Sequence, residues 1–325
     1  MNILLFYNGY VPVLKYGGIE RVIYSLAQSL EVLGHNVTLL VTGSGKKSSI
    51  NTLIYNPKIS LNEQIPLNTD IVHFHSEIDK NISFPYVYTM HGNKKDQTRL
   101  DKNTVFVSKN HAQRFASDSY VYNGLNWDDC ADVDLNSKRK YYHYLANAAW
   151  RIKNVKGAIK IAKRSGASIK ILGGKRFNFR MGLRLTFTPK ARFYGMVDDF
   201  EKANILNGSR GLIFPVLWHE PFGLSIIESL YYGTPVFATP YGSLKELITQ
   251  DVGVLSNNMD ELVDGVKNNN FNARICHEYV NDKFNSIVMA ENYLLKYLQV
   301  LNGHFLHEKK PFLVEIQNEK FLKFS

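Results

Sequence analysis

Apolar residues along the start of the chain follow two rhythms. Ile3–Tyr7 is an unbroken run of strand length, as expected of a strand buried on both faces. After a loop through Pro12 and Tyr16-Gly17-Gly18, Ile19, Val22, Ile23, Leu26, Leu30 and Leu33 recur at helical spacing and form one stripe. Gly34 offers a helix stop, and Val37–Val41 resumes strand character. Strand, helix and strand so close together predict a parallel βαβ unit with a right-handed crossover.

The pattern continues with Ile71–Phe74, Tyr86–Thr89, Val105–Val107 and Tyr120–Tyr122, each followed by a polar or glycine-containing turn. Asn123-Gly124 and the acidic stretch Asp128–Asp134 interrupt it. A second series begins at Tyr144, with a helix carrying Val155, Ala158, Ile159 and Ala162 on one face. Strand-like runs follow at Ile169–Leu172, Ala191–Tyr194, Gly211–Phe214, Val236–Ala238 and Val252–Leu255. The expected fold class is α/β, two Rossmann-like doubly wound domains facing across a cleft. The expected bounds are 1–135 for the first domain and 136–286 for the second. Residues 287–325 are read as a helix and tail crossing back to the N-terminal domain. That helix, Ile287–Leu301, places Ile287, Ala290, Leu294, Tyr297 and Leu298 on one side, while Phe312, Val314 and Ile316 alternate in the tail without an assigned element. Ligands of such sheets bind beyond the carboxyl ends of the strands.

Composition narrows the class. Of 325 residues, 45% are hydrophobic and 21% charged, which excludes a disordered chain. No apolar run reaches the length of a membrane-spanning helix, and the start lacks the basic region of a signal peptide. A cytoplasmic protein is expected, with peripheral contact at the inner membrane face left open through Lys46-Lys47 or Lys94-Lys95. Two cysteines, Cys130 and Cys276, make neither a disulfide framework nor a metal motif.

Charge is unevenly placed. The net charge is +10, yet residues 138–192 alone hold 16 basic residues and no acidic one. Such a field attracts anions. No zinc-finger spacing, RNP-like aromatic string or basic zipper accompanies it, so nucleic acid is not an expected partner. Lys160, Lys163 and Arg164 read as the wet face of a helix.

The most informative window is Leu217–Glu228, with Glu220, Pro221, Phe222, Gly223 and Leu224 leading into a helix that carries Glu228. Gly223 allows the backbone to approach a ligand closely, and the free N–H groups of a helix start suit sugar hydroxyls or phosphate oxygens. Gly233-Thr234-Pro235 then ends the helix.

Phe193–Val197, Gly211–Pro215, Glu220–Leu224, Glu228–Leu230 and Gly233–Val236, taken together, resemble glycosyltransferase family 4, a retaining GT-B family. Gly17–Arg21, Asp70–Ser76, Thr89–Gly92, Val107-Ser108 and Tyr122–Asn126 match its N-terminal strand ends in order. The resemblance implies that Glu220 faces a hydroxyl of the donor sugar and Glu228 holds the ribose. It assigns the backbone of Phe222, Gly223 and Leu224 to sugar and phosphate. Trp150–Gly157 matches the family's Gly-Arg-x4-Lys-Gly pattern with Trp150 in the glycine position, which makes Arg151 and Lys156 the diphosphate clamp. His91 falls where the family contacts donor sugar or phosphate, and Gly17 and Gly18 near the diphosphate or acceptor.

By the same resemblance, the first domain is the acceptor side and the second binds the nucleotide sugar, and the reaction needs no metal and no cofactor. The donor is a nucleotide diphosphate sugar, UDP favoured and GDP second. The acceptor is a glycan or lipid-linked molecule, as in surface polysaccharide or glycoconjugate synthesis. A nucleotide-sugar epimerase or phosphorylase on the same scaffold is the alternative, and a basic module binding anionic lipid or nucleic acid ranks below it.

Overall fold

The computed structural model describes residues 1–325 except 14–16, 46–47, 78–81 and 179–183. Tyr16 and the Lys46-Lys47 pair therefore lie outside the described residues. The chain divides into two units, Met1–Trp127 with Lys283–Gln317, and Asp128–Asp282 with Asn318–Ser325. The tail is thus shared between the units, where a single crossing was expected.

The first unit is built on six strands: β1 (Asn2–Tyr10), β2 (Asn36–Gly43), β3 (Asn51–Ile54), β4 (Ile71–Phe74), β5 (Tyr86–Met90) and β6 (Thr104–Phe106). They are ordered β3-β2-β1-β4-β5-β6, all parallel. Helices α1 (Gly18–Val32), α2 (Leu61–Gln64) and α3 (Lys109–Arg114) connect or follow them. The stripe of α1 is buried at Val22, Ile23, Leu26 and Leu30, and Gly34 ends the helix region at φ +83°. Tyr120–Tyr122 makes only an isolated bridge from Tyr120 to Phe106.

The second unit repeats the plan with β7 (Tyr141–Leu145), β8 (Ile169–Leu172), the short antiparallel pair β9 (Phe177–Asn178) and β10 (Arg184–Leu185), β11 (Ala191–Gly195), β12 (Ser209–Phe214), β13 (Val236–Ala238) and β14 (Gly253–Leu255). Its six-stranded sheet runs β11-β8-β7-β12-β13-β14, again parallel. The helices are α4 (Val155–Arg164), α5 (Asp199–Asn207), α6 (Leu224–Tyr231), α7 (Leu244–Leu247), α8 (Met259–Lys267) and α9 (Ala273–Lys283). In each sheet the strand order reverses once, between β1 and β4 and between β7 and β12. The loops at those two points diverge and leave a crevice for a ligand.

The chain re-enters the first unit beside the point where it left. Leu125 N–H donates to Phe284 C=O at 3.1 Å and Ser286 N–H to Leu125 C=O at 2.9 Å. The last helix, α10 (Ser286–Leu301), buries Met289, Ala290, Tyr293 and Tyr297, while Leu298 is exposed. Ala290 and Tyr297 are buried as expected, while Tyr293 takes the place given to Leu298. The tyrosines win because their rings fill the core while their hydroxyls meet polar partners: Tyr293 Oη lies 2.8 Å from Thr89 Oγ1, and Tyr297 Oη 2.7 Å from His73 Nδ1. Phe312, Val314 and Ile316 are exposed and Leu313 is buried, packed with Met90, Leu100, Phe106 and Phe115.

Five histidines are held neutral by burial. His143 and His111 are pushed down to about 3, and His91 to about 4. Burial also holds His73 and His75 well below the ordinary imidazole value. In the unfolded chain these groups take up protons first, so between those values and about 6.5 the unfolded state binds more protons. Their contribution to stability is complete above about pH 6.5 and declines as pH falls below it. The urea midpoint is expected to be lower at pH 5 than at pH 7, and an equal or higher midpoint at pH 5 would contradict this account.

Candidate functional site

The loop after β7 and the loop after β12 flank the reversal point of the second sheet. The first carries Arg151 and leads into α4, whose first turn carries Lys156; the second carries Glu220. Arg151–Lys153 forms one 3-10 turn, and Asn154 adopts a left-handed conformation at φ +53°. Its Oδ1 accepts from Gly157 N–H at 3.0 Å, capping α4, and its Nδ2 donates to Pro215 C=O at 2.9 Å. Leu217 N–H adds a bond to Ile152 C=O at 2.7 Å. The two loops are therefore fastened together. Trp150 has φ −75°, a value open to any L-residue, so the backbone there does not require the glycine of the family pattern. Arg151 and Lys156 are both exposed, Lys156 in the first turn of α4.

Glu220 is buried and occupied on one side. Lys153 Nζ donates to its Oε2 at 2.6 Å and Trp218 Nε1 to the same oxygen at 2.8 Å. Oε1 takes neither bond. Lys153 also lies over the rings of Phe214 and Trp218, 5.5 and 4.9 Å from their centroids. The backbone of Glu220 is bound in turn by the loop after β13. Ser243 N–H donates to Glu220 C=O at 3.0 Å, and Ser243 Oγ to Phe222 C=O at 2.5 Å. Gly242 makes that approach possible. It sits at φ +67°, and a Cβ there would meet the Glu220 backbone N and O at 2.4 and 2.3 Å.

Phe222 is buried, whereas Gly223 and Leu224 are partly exposed. Gly223, at φ +96°, precedes α6 without a side-chain cap, which leaves the helix start to a ligand. Glu228, one turn further, is buried at 8% exposure and bonded through Oε1 to Lys202 Nζ at 2.6 Å. Lys202, also 8% exposed, reaches Asp199 at 2.8 Å as well. Beneath them His143 links β7, β12 and α6. Its Nε2 lies 2.8 Å from Ser229 Oγ and its Nδ1 2.7 Å from Ser209 Oγ. Ser229 gives its own proton to Ser225 C=O, which leaves its Oγ to accept from His143 Nε2.

Lys153 and Lys202 are the residues that motif reading missed. Lys153 lay inside the clamp pattern, at a position where that pattern asks for nothing. Lys202 gave no signal at all, since its partner stands 26 residues away. Parts of the basic segment also serve to tie the fold together. Arg139 Nη1 and Nη2 bind the carbonyls of Ser209 and Tyr232 at 2.8 Å each, and Arg176 ties Thr186 and Ala191. Lys160, Lys163 and Arg164 are exposed as expected, with Arg164 paired to Asp260. A pocket of about 620 Å³ opens at the ends of β8 and β11, lined by Gly174, Lys175, Arg176 and Arg192–Gly195.

The remaining candidates lie in the first unit. Gly17 and Gly18 open α1, again without a side-chain cap. His91 follows β5, with its Nε2 2.9 Å from His75 Nδ1. His73 and His75 are both buried, because β4 is covered on both faces. Among the described residues, no group of three or more His, Cys, Asp or Glu is placed to hold a metal ion, and no helix is long and apolar enough to cross a membrane.

Residues 126–269 match the family described as glycosyl transferases group 1. A Klebsiella pneumoniae protein, "Uncharacterized 41.2 kDa protein in cps region", is 29% identical over 168 residues, 49% of this chain and 43% of its own. The match thus spans less than half the length of that relative. Among solved structures, AviGT4, a glycosyltransferase involved in avilamycin A biosynthesis, superposes with a TM-score of 0.74 at 18% identity, covering 93% of this chain and 98% of that one. Anabaena Alr3699/HepE in complex with UDP-glucose gives 0.62 at 14% identity, covering 93% and 100%. The fold is that of GT-B glycosyltransferases, and the resemblance drawn from the glutamate block holds at that level.

Proposed function

We propose that this protein is a retaining glycosyltransferase. It moves a hexose-type sugar from a nucleotide diphosphate sugar, UDP favoured, to a glycan or lipid-linked acceptor in surface polysaccharide or glycoconjugate synthesis. The observation that carries the reading is the joining of the Arg151–Lys156 loop to the Glu220 loop at the reversal point of a parallel sheet. Cleaving the bond from the anomeric carbon to phosphate leaves a diphosphate whose negative charge grows along the reaction. Cations already aimed at it stabilise the transition state more than the ground state. Arg151 grips two oxygens, and Lys156 acts as a point charge. Glu228 accepts from the ribose hydroxyls, and the free oxygen of Glu220 from a hydroxyl of the sugar. The N–H groups of Gly223 and Leu224 receive phosphate or sugar oxygens. His91, Gly17 and Gly18 serve sugar, phosphate or acceptor from the first unit. That Alr3699/HepE is held with UDP-glucose supports a uridine donor, and the cps-region relative supports a surface-polysaccharide setting.

Thermal unfolding with UDP-, GDP-, ADP- and dTDP-sugars tests the donor. A ligand of the folded state raises the midpoint by mass action, so a concentration of about 100 Kd adds about 2.7 kcal/mol. One nucleotide class is expected to raise the midpoint, and no shift with any of them would sink the proposal. Product analysis separates the alternatives: an epimerase converts the sugar nucleotide without acceptor, whereas a transferase releases nucleoside diphosphate only as sugar is transferred or hydrolysed.

A further inference from the structure

Residues 318–325 return to the second unit, and their contacts fall on the loops of the candidate site. Leu322 N–H donates to Leu217 C=O at 2.9 Å, while Leu217 N–H donates to Ile152 C=O at 2.7 Å. Three segments are thus laced side by side, with Leu217 of the glutamate loop in the middle. Tyr241, in the loop after β13, gives its hydroxyl proton to Lys323 C=O. Ser325 N–H donates to Asn257 C=O at 3.1 Å, and Met259 N–H to Ser325 C=O at 2.6 Å. Next to Leu322, Phe321 turns its ring to Arg151, whose Cζ lies 5.2 Å from the ring centroid. Among the described residues, the ion pairs of the second unit do not include Arg151.

We propose that Phe321 is a positioning residue of the donor site and that residues 318–325 are a working part of it. The inference rests on reading Arg151 as a diphosphate ligand. An exposed arginine has much rotamer freedom to lose when it grips a ligand. A carboxylate partner would restrict it but would neutralise its charge and occupy its N–H donors. An aromatic ring face restrains the guanidinium by cation–π attraction and does neither. The lacing at Leu322, Tyr241 and Ser325 holds the ring in place, so Arg151 is ordered before the ligand arrives.

The test titrates UDP into the full chain carrying Phe321→Leu, Phe321→Tyr, Arg151→Ala, or Arg151→Ala with Phe321→Leu, by calorimetry, with the melting point of each recorded. Phe321→Leu is expected to weaken UDP binding about two- to fivefold. Phe321→Tyr should restore it, because it keeps the ring. On the Arg151→Ala background, Phe321→Leu should change nothing further, whereas a general loosening of the unit would weaken binding on both backgrounds. Wild-type affinity in Phe321→Leu, or an equal loss on both backgrounds, would overturn the inference and leave the functional reading standing. Failure of the parent chain to bind UDP, GDP, ADP or dTDP would remove both.

Discussion

Lys156→Ala lowers turnover by about 10²–10³-fold, the usual loss when one preorganised charge leaves a developing anion, and does so without moving the unfolding midpoint. The second half of this expected result gives the first its meaning. Lys156 is exposed in the first turn of α4, and the helix is capped without it, by Asn154. An exposed lysine that makes no ion pair among the described residues adds next to nothing to stability, so a loss of rate on its removal reports on the reaction alone. Lys163→Ala, exposed on the same helix, is the control and should turn over normally. Steady-state rates and a melting curve on both variants decide the matter. Equal turnover in the two would remove Lys156 from the clamp.

Glu228→Ala abolishes activity and also destabilises the second unit, and the two effects can be separated. Glu228 and Lys202 are each 8% exposed and 2.6 Å apart. Removing one partner strands a buried charge, at a cost of about 3–5 kcal/mol. Asp199 lies 2.8 Å from the same ammonium and offsets part of that, so the expected loss is about 2–3 kcal/mol. Replacing both partners, Glu228→Gln with Lys202→Met, takes away the charge along with its counter-charge and should recover most of the stability. It should not recover donor binding, because an amide is a poorer acceptor for two ribose hydroxyls than a carboxylate. Denaturant unfolding and UDP titration of the single and double variants test this directly. Recovery of UDP affinity in the double variant would show that Glu228 supports the helix and does not hold the ribose.

Both variants concern residues whose backbone setting was legible beforehand. The apolar stripe of α1, the run Ile71–Phe74 and the Gly233-Thr234-Pro235 stop are local facts, each settled by sterics over a few residues. The sequence-based errors share one cause. On α10, Tyr297 was placed on the buried face but Leu298 was set beside it in place of Tyr293, since hydropathy does not show that Thr89 awaits a hydroxyl. In the tail, the alternation of Phe312, Val314 and Ile316 was legible without showing which residues pack, and Leu313 is buried because the space it fills is made by β5, β6 and α3. The pair Lys153–Glu220 was half-legible, with both residues inside recognised patterns and nothing in either pattern joining them.

By itself the amino-acid order determined two parallel-sheet units, the helix start at Gly223 and the placing of Glu220, Glu228, Arg151 and Lys156 in loops or first turns. Periodicity, caps and turn residues act within reach of one or two helical turns, and a linear reading captures them. Only the tertiary structure decided that Lys153 closes on Glu220 across 67 residues, that Lys202 closes on Glu228, and that Phe321 lies against Arg151. Those meetings depend on strand order and on where the chain returns after leaving the second unit. Strand order is set by the burial of whole sheet faces, a property of all the elements together that no single segment carries.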